Sequence, residues 1–172
     1  MKSFLLPTLI GLGAIVAPTA ALSQELTEEE ARELVFMREE EKLARDVYQH
    51  LNAKWNLRIF ANIARSEQRH FESVGAAIAR YGIADPAAGT APGVFVSEKL
   101  TALYNELIAK GELSIKDALE VGVLIEKVDI ADLEQALKDT LKTDLKQLYG
   151  NLLTASLNHQ EAFEYTLEAV KR

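Results

Sequence analysis

Between Phe60 and Tyr81 the apolar residues Phe60, Ile63, Ala64, Phe71, Val74, Ala77, Ile78 and Tyr81 recur three and four positions apart. That spacing puts them on one face of a helix. A strand cannot carry it, because strand side chains change face at every residue. Two positions complete the stripe, and they hold Glu67 and His70. Both therefore face the interior, where a lone carboxylate or imidazolium is costly unless it is paired or coordinated.

The rest of the chain reads as helix too. Thr27 followed by Glu28, Glu29 and Glu30 is a capping-box start with acids in the first turn, and helix one runs to about Asn52. After a break near Trp55 and Asn56 comes the striped helix, ended by Gly82, and then a loop from Asp85-Pro86 to Pro92-Gly93. A short helix from Ser97 to Lys110 is stopped by Gly111. Ser114 caps a further helix, which continues or breaks near Asp129 before Leu133 and Leu137, and the last helix spans about Thr143 to Val170. No segment alternates as a strand does. Four helices are long enough to pair as two antiparallel hairpins joined by a long connection, which predicts an all-α four-helix bundle with a long crossover and an extra short helix. At 172 residues with 48% hydrophobic content, one folded domain is expected.

Residues 1–23 precede that domain. "MKSFLLPTLIGLGAIVAPTAALS" has one lysine, an uncharged apolar run from Phe4 to about Val16 and small residues at its end, the pattern of a secretory signal peptide. Cleavage after Ser23 is favoured over cleavage after Ala21, and residues 24–172 form the mature domain. Pro7 and Pro18 count against an uncleaved spanning anchor, so no integral membrane span is expected after processing and the location is periplasmic or secreted. With no cysteine, the fold has no disulfide to rely on and no thiolate for a metal. Cleavage takes Lys2 from the 19 basic residues and leaves the 26 acidic ones, moving the formal charge from -7 to -8. An acidic chain without basic runs is a poor nucleic acid binder, whereas its surface suits cations.

Other helices also turn polar groups inward. In helix one, Glu41 shares a face with Leu34, Met37, Ala44, Tyr48 and Leu51, while Glu40 lies nearly as well among Phe36, Met37, Leu43 and Val47; periodicity leaves both open. Glu126 is bracketed by Leu119, Gly122, Ile130, Leu133 and Leu137, whereas Glu120 has Lys116, Asp117 and Lys127 at the same spacings and faces water. In the last helix, Ser156 and His159 interrupt the stripe of Leu145, Leu148, Tyr149, Leu152, Phe163 and Val170. His50, near the end of helix one, suits a helix C-terminus and receives no function.

A glutamate and a histidine three apart lie close together around a helix, so an oxygen and a nitrogen reach one ion from one surface. Carboxylate with imidazole suits iron, manganese or zinc. A single Glu-x-x-His is common by chance and is usually a hydrogen-bonded or surface pair. Inward polar groups on four helices at once favour a shared cation, since buried glutamates repel one another without one.

The segments "MREEEKLARDVYQHL", "FANIARSEQRHFESVGAAIARYG", "ALEVGVLIEKVDIADLEQAL" and "LLTASLNHQEAF" together resemble the DUF2202 family, uncharacterised proteins of the ferritin-like superfamily. The likeness covers nearly all of the mature chain. It implies a four-helix bundle around a carboxylate-bridged two-metal centre, in which two helices each give a glutamate and two each give Glu-x-x-His. "EKLARDVY" resembles the first-helix segment of rubrerythrin-type proteins, which selects Glu41, with Tyr48 as companion, over Glu40. By the same resemblance Glu67 bridges, His70 holds one ion, Glu126 is the third-helix glutamate and His159 the fourth-helix histidine. The chain departs from this pattern at Ser156, where a second bridging glutamate belongs. That lowers the set to three carboxylates and two histidines unless water, hydroxide or Asp129 completes it, and one ion or an altered pair remain open.

The expected function is a periplasmic or secreted ferritin-like protein that binds one or two iron or manganese ions. If it is an enzyme, it is a metal-dependent oxidoreductase of ferroxidase or peroxidase type. The rivals are a metal binder without turnover and a metal-free helical interaction module, to which Ser156 lends weight. A homo-oligomer is compatible with the sequence, which does not identify a protein partner.

Overall fold

The computed structural model describes residues 25–171, so the signal peptide expected at 1–23 lies outside the described residues. These form an all-α fold of five helices, α1 (Glu28–Trp55), α2 (Arg58–Arg80), α3 (Glu98–Gly111), α4 (Ile115–Asp139) and α5 (Thr143–Lys171). No strand occurs among the described residues.

The expected capping box opens α1: the Thr27 hydroxyl accepts from the Glu30 N–H at 3.1 Å, and Glu30 Oε2 accepts from the Thr27 N–H at 3.0 Å. This helix runs past Asn52 to Trp55, whose indole N–H donates to the Gly111 carbonyl at 2.9 Å and ties the last turn to the end of α3. Asn56, at φ 51°, then takes the left-handed conformation that ends a helix, and α2 starts two residues later. The break left open near Asp129 does not occur. Neither glycine nor proline interrupts positions 123–139, and α4 is continuous through them.

Helices α1 and α2 pack as one hairpin and α4 and α5 as another, with α1 also against α4 and α2 against α5. Glu30 meets Thr140 while Tyr48 meets Glu126, so α1 and α4 run in opposite directions. Arg80 meets Asp144 while Glu67 meets His159, and the same holds for α2 and α5. The four long helices thus share one interior, and α3 packs across α1 and α4.

The connection from Tyr81 to Ser97 crosses the outer side of α1, and its backbone groups need partners. A line of α1 side chains supplies them. Arg38 binds Asp85 at 2.8 Å and the Phe71 carbonyl, and Glu39 accepts from the Val96 and Ser97 N–H groups at 2.5 and 3.1 Å. Lys42 donates to the Ala91 carbonyl at 2.8 Å and to Asp46 at 2.6 Å, and Asp46 accepts from the Gly93 N–H at 3.0 Å. All four side chains are buried, although nothing in the apolar spacing announced it.

The interior has two apolar clusters. One gathers Tyr48, Phe60, Phe163, Leu119 and Leu51; the other holds Leu34, Met37, Val74, Leu133, Leu145 and Tyr149. At Gly122 a Cβ would stand 2.6 Å from the Phe163 ring, so only glycine lets α5 approach α4 there. Between the clusters, at positions 41, 67, 70, 126, 156 and 159, lies a polar layer.

Candidate metal centre

Each long helix brings its part of that layer inward for a local reason. In α2, Glu67 and His70 occupy stripe positions between Ala64 and Val74, so the helix cannot bury its apolar face without burying them. Glu41 follows Met37 by one turn, Glu126 follows Gly122, and His159 precedes Phe163. Glu41 and Glu126 are each 1% exposed and Glu67 is 2% exposed, so none of these carboxylates is solvated.

All five candidate residues converge. Glu41, Glu67 and His70 form one triad of donor atoms within 4.8 Å of one another, and Glu67, Glu126 and His159 form a second. Glu67 belongs to both, with its two oxygens turned to different histidines: Oε2 lies 2.9 Å from His70 Nδ1, and Oε1 lies 2.8 Å from His159 Nδ1. Glu41 Oε2 stands 3.3 Å from His70 Nδ1 and Glu126 Oε2 stands 3.5 Å from His159 Nδ1. The two imidazoles stack with centroids 5.5 Å apart.

His70 Nδ1 and Glu41 Oε2 are hydrogen-bonded, but several other atoms of the layer are not. Glu41 Oε1, Glu67 Oε1 and His159 Nδ1 are buried with no hydrogen-bond partner among the described residues. For Glu67 Oε1 and His159 Nδ1 the separation is short enough but the alignment is not that of a hydrogen bond. Buried polar atoms are rarely left in this way.

Electrostatics agree. Burial raises Glu67, but the adjoining His159 and His70 overcome this and hold its carboxyl at about 2. Burial lowers His159, yet Glu126 and Glu67 bring it up to about 9. Glu41 is pushed well above the ordinary carboxylate range by burial and then by Asp129 and Glu67. Glu126 is raised by burial, with His159 opposing. Three carboxylates are therefore gathered at a cost, and two histidines only partly offset it.

Tyr48 supports this layer from α1. Its hydroxyl donates to Glu126 Oε1 at 2.7 Å, so the companion expected for Glu41 instead orients the α4 carboxylate. Ser156 is fully buried, and its hydroxyl donates to the Leu152 carbonyl at 3.1 Å.

The alternative glutamates differ in position. Glu41 turns into the layer, whereas Glu40 lies near Asp132 and Asp129 beside a small pocket of about 40 Å³ between α1, α3 and α4. Glu120 pairs with Lys110 and Lys116 at the surface, and His50 pairs with Glu112 at 2.8 Å.

The chain's likeness to known proteins fits its helical architecture. It is 49% identical over 140 residues to the uncharacterized protein MJ0754 of Methanocaldococcus jannaschii, an alignment that covers 81% of this chain and 76% of that protein. The crystal structure of the hypothetical protein MJ0754 from Methanococcus jannaschii superposes with a TM-score of 0.84 at 47% identity, over 86% of this chain and 85% of that one. Residues 30–171 match the family described as an uncharacterized protein domain, DUF2202. The chain belongs to the DUF2202 family.

Proposed function

We propose that this protein is a ferritin-like four-helix bundle that binds a pair of divalent iron or manganese ions and acts as a redox protein, secreted or periplasmic after loss of residues 1–23. The observation that supports the reading is the sharing of Glu67 by two carboxylate and histidine triads, in which Glu41 Oε1, Glu67 Oε1 and His159 Nδ1 are buried without hydrogen-bond partners. The donor set fits the ions: hard carboxylate oxygens and neutral imidazole nitrogens suit divalent iron and manganese. A bound pair would supply one-electron redox chemistry toward oxygen or peroxide.

The chain's own residues have separable tasks. Glu41 and His70 would hold one ion, Glu126 and His159 the other, and Glu67 would bridge them. Tyr48 fixes the Glu126 carboxylate through its 2.7 Å hydrogen bond, so that oxygen is not free to rotate away. The Phe60, Phe163 and Tyr48 rings pack on one side of the layer and exclude water from it. The small pocket between α1, α3 and α4, lined by Leu43, Leu107 and Ile125 beside Glu40, would offer a small uncharged oxidant an apolar surface near the bundle interior.

Anaerobic titration of the purified mature protein with ferrous and manganous ions, followed by admission of oxygen, tests the reading. Two equivalents bound per chain and oxygen uptake dependent on iron are expected. Binding without uptake would leave a metal binder without turnover. No binding would leave a helical interaction module in which the histidines serve only as partners of Glu67.

A further inference from the structure

We propose that the pocket where α1 begins and α4 ends is a second cation site, one that holds a single hard divalent ion of the calcium class. It stands apart from the interior layer and does not depend on it. Glu33 precedes Glu41 by eight residues of α1, about 12 Å along the helix axis, and Asp139 follows Glu126 by thirteen residues of α4.

The pocket has a volume of about 70 Å³, with Glu29, Glu30 and Glu33 on its α1 side and Asp139 on its α4 side. No basic residue lines it among the described residues. Ordinary helix chemistry accounts for only part of this cluster. Glu29 and Glu30 lie in the first turn of α1, where the helix dipole favours acids. Glu29 also binds Arg32 at 2.5 Å, and Glu30 is taken up by the Thr27 N–H at 3.0 Å and the Thr140 hydroxyl at 2.8 Å. Asp139 has no such reason to be there: it is the last residue of α4, the end at which the dipole disfavours an acid. Its Oδ2 accepts from the Gln135 amide at 2.8 Å, a neutral partner that leaves its charge in place. Glu33 stands past the first turn of α1, where burial and then Asp132, Asp139 and Glu29 push its carboxyl upward, so acids face acids across the pocket.

Tyr149 independently points to a ligand. It lines the pocket from α5, is 1% exposed, and its hydroxyl is buried with no hydrogen-bond partner among the described residues. Tyr81, another phenol at this end of the bundle, gives its hydroxyl to Asp144 at 2.9 Å. A buried hydroxyl left without a partner is costly, and a water carried by a bound ion would satisfy it. The donors around the pocket are all oxygens, carboxylate and hydroxyl, with no imidazole among them. That set suits a hard cation, in contrast to the mixed oxygen and nitrogen set of the interior. One water needs only about 10–15 Å³ of such space, so the pocket admits an ion with several of its waters. Calcium accepts that loose, partly hydrated arrangement of about six to eight oxygens, whereas magnesium demands a near-ideal octahedron.

Calorimetric titration of the chelator-treated protein with calcium chloride, paired with melting temperatures, tests the assignment. One calcium per chain and a higher melting temperature with calcium are expected. Glu33→Gln combined with Asp139→Asn should bind calcium at least about tenfold more weakly, since even outer partners of metal ligands are worth that much. The calcium-free form of this double variant should melt no lower than the wild type, because two mutually repelling acids are gone. Tyr149→Phe should weaken calcium by about two- to tenfold, the worth of one hydrogen bond. Glu67→Gln, which alters the interior layer, should leave calcium affinity unchanged. A wild-type protein that binds no calcium, as for a pocket filled by water alone, would overturn the site. Calcium held with full affinity by the double variant, or lost in Glu67→Gln, would place the ion elsewhere and overturn the assignment. Full affinity in Tyr149→Phe would overturn the part given to its hydroxyl.

Discussion

His159 Nδ1 and Glu67 Oε1 stand 2.8 Å apart across α5 and α2, buried and without the alignment of a hydrogen bond. That relation suits two donors turned toward a third atom. Because Glu67 is common to both triads, Glu67→Gln is expected to weaken both ions together, whereas His70→Ala and His159→Ala should each weaken one preferentially. Isothermal titration with manganous ions reads the difference; equal, independent losses in all three variants would contradict the sharing.

The hydroxyl of Tyr48 belongs to the same layer. Tyr48→Phe removes the 2.7 Å bond to Glu126 and leaves a buried carboxyl without its donor, so a loss of about 1–3 kcal/mol in stability is expected. Denaturant unfolding measures it, and the loss should be smaller when the protein is saturated with metal, since the ion then holds Glu126.

Stability should also depend on pH in a way that metal reverses. Asp129 is raised to about 7 by burial, so the folded metal-free protein binds a proton that the unfolded chain releases near 4; stability is full below that and falls as pH rises through 7. His159, raised to about 9, contributes stability that is full below about 6.5 and is lost as pH rises through 9. Glu67, lowered to about 2, contributes above about 4.3 and loses its contribution as pH falls toward 2. The metal-free melting temperature should therefore decline from pH 5 to pH 9. Metal affinity should rise over the same range, because ligands must shed protons to bind. Melting curves with and without manganese across that range check both trends.

The crossover depends on a different group of charges. Asp46→Ala would strand the buried Lys42 ammonium and free the Gly93 N–H, and a cost of about 3–5 kcal/mol is expected. Limited proteolysis should show faster cleavage between Asp85 and Val96, while the stoichiometry of metal per folded chain stays unchanged.

Much of this organisation can be read from the chain because it follows from one-dimensional spacing. The α2 stripe fixed the inward direction of Glu67 and His70, and the lysines around Glu120 marked it as a surface acid. Spacing alone could not choose between Glu40 and Glu41, which differ by one position on a helix with apolar residues on both flanks; resemblance chose Glu41, and the fold turns it into the layer. Lys42 and Asp46 were not legible as buried, because their partners are backbone groups of a loop about 49 and 47 positions away, and no periodicity reports such a pairing. The one available signal was a run of charges in α1 beside a glycine- and proline-rich connection that needed partners. Tyr48 was placed near the layer, but its choice of Glu126 depends on how α1 and α4 cross, which only the tertiary structure contains.

The most direct test is anomalous diffraction at the iron or manganese edge from crystals of the protein grown with that metal. Two peaks are expected, one among Glu41, Glu67 and His70 and one among Glu67, Glu126 and His159, separated by about 3.5–4 Å as in other paired-metal sites. No peak in the interior at full metal saturation, or peaks confined to the acidic surface, would contradict a metal centre between the four helices.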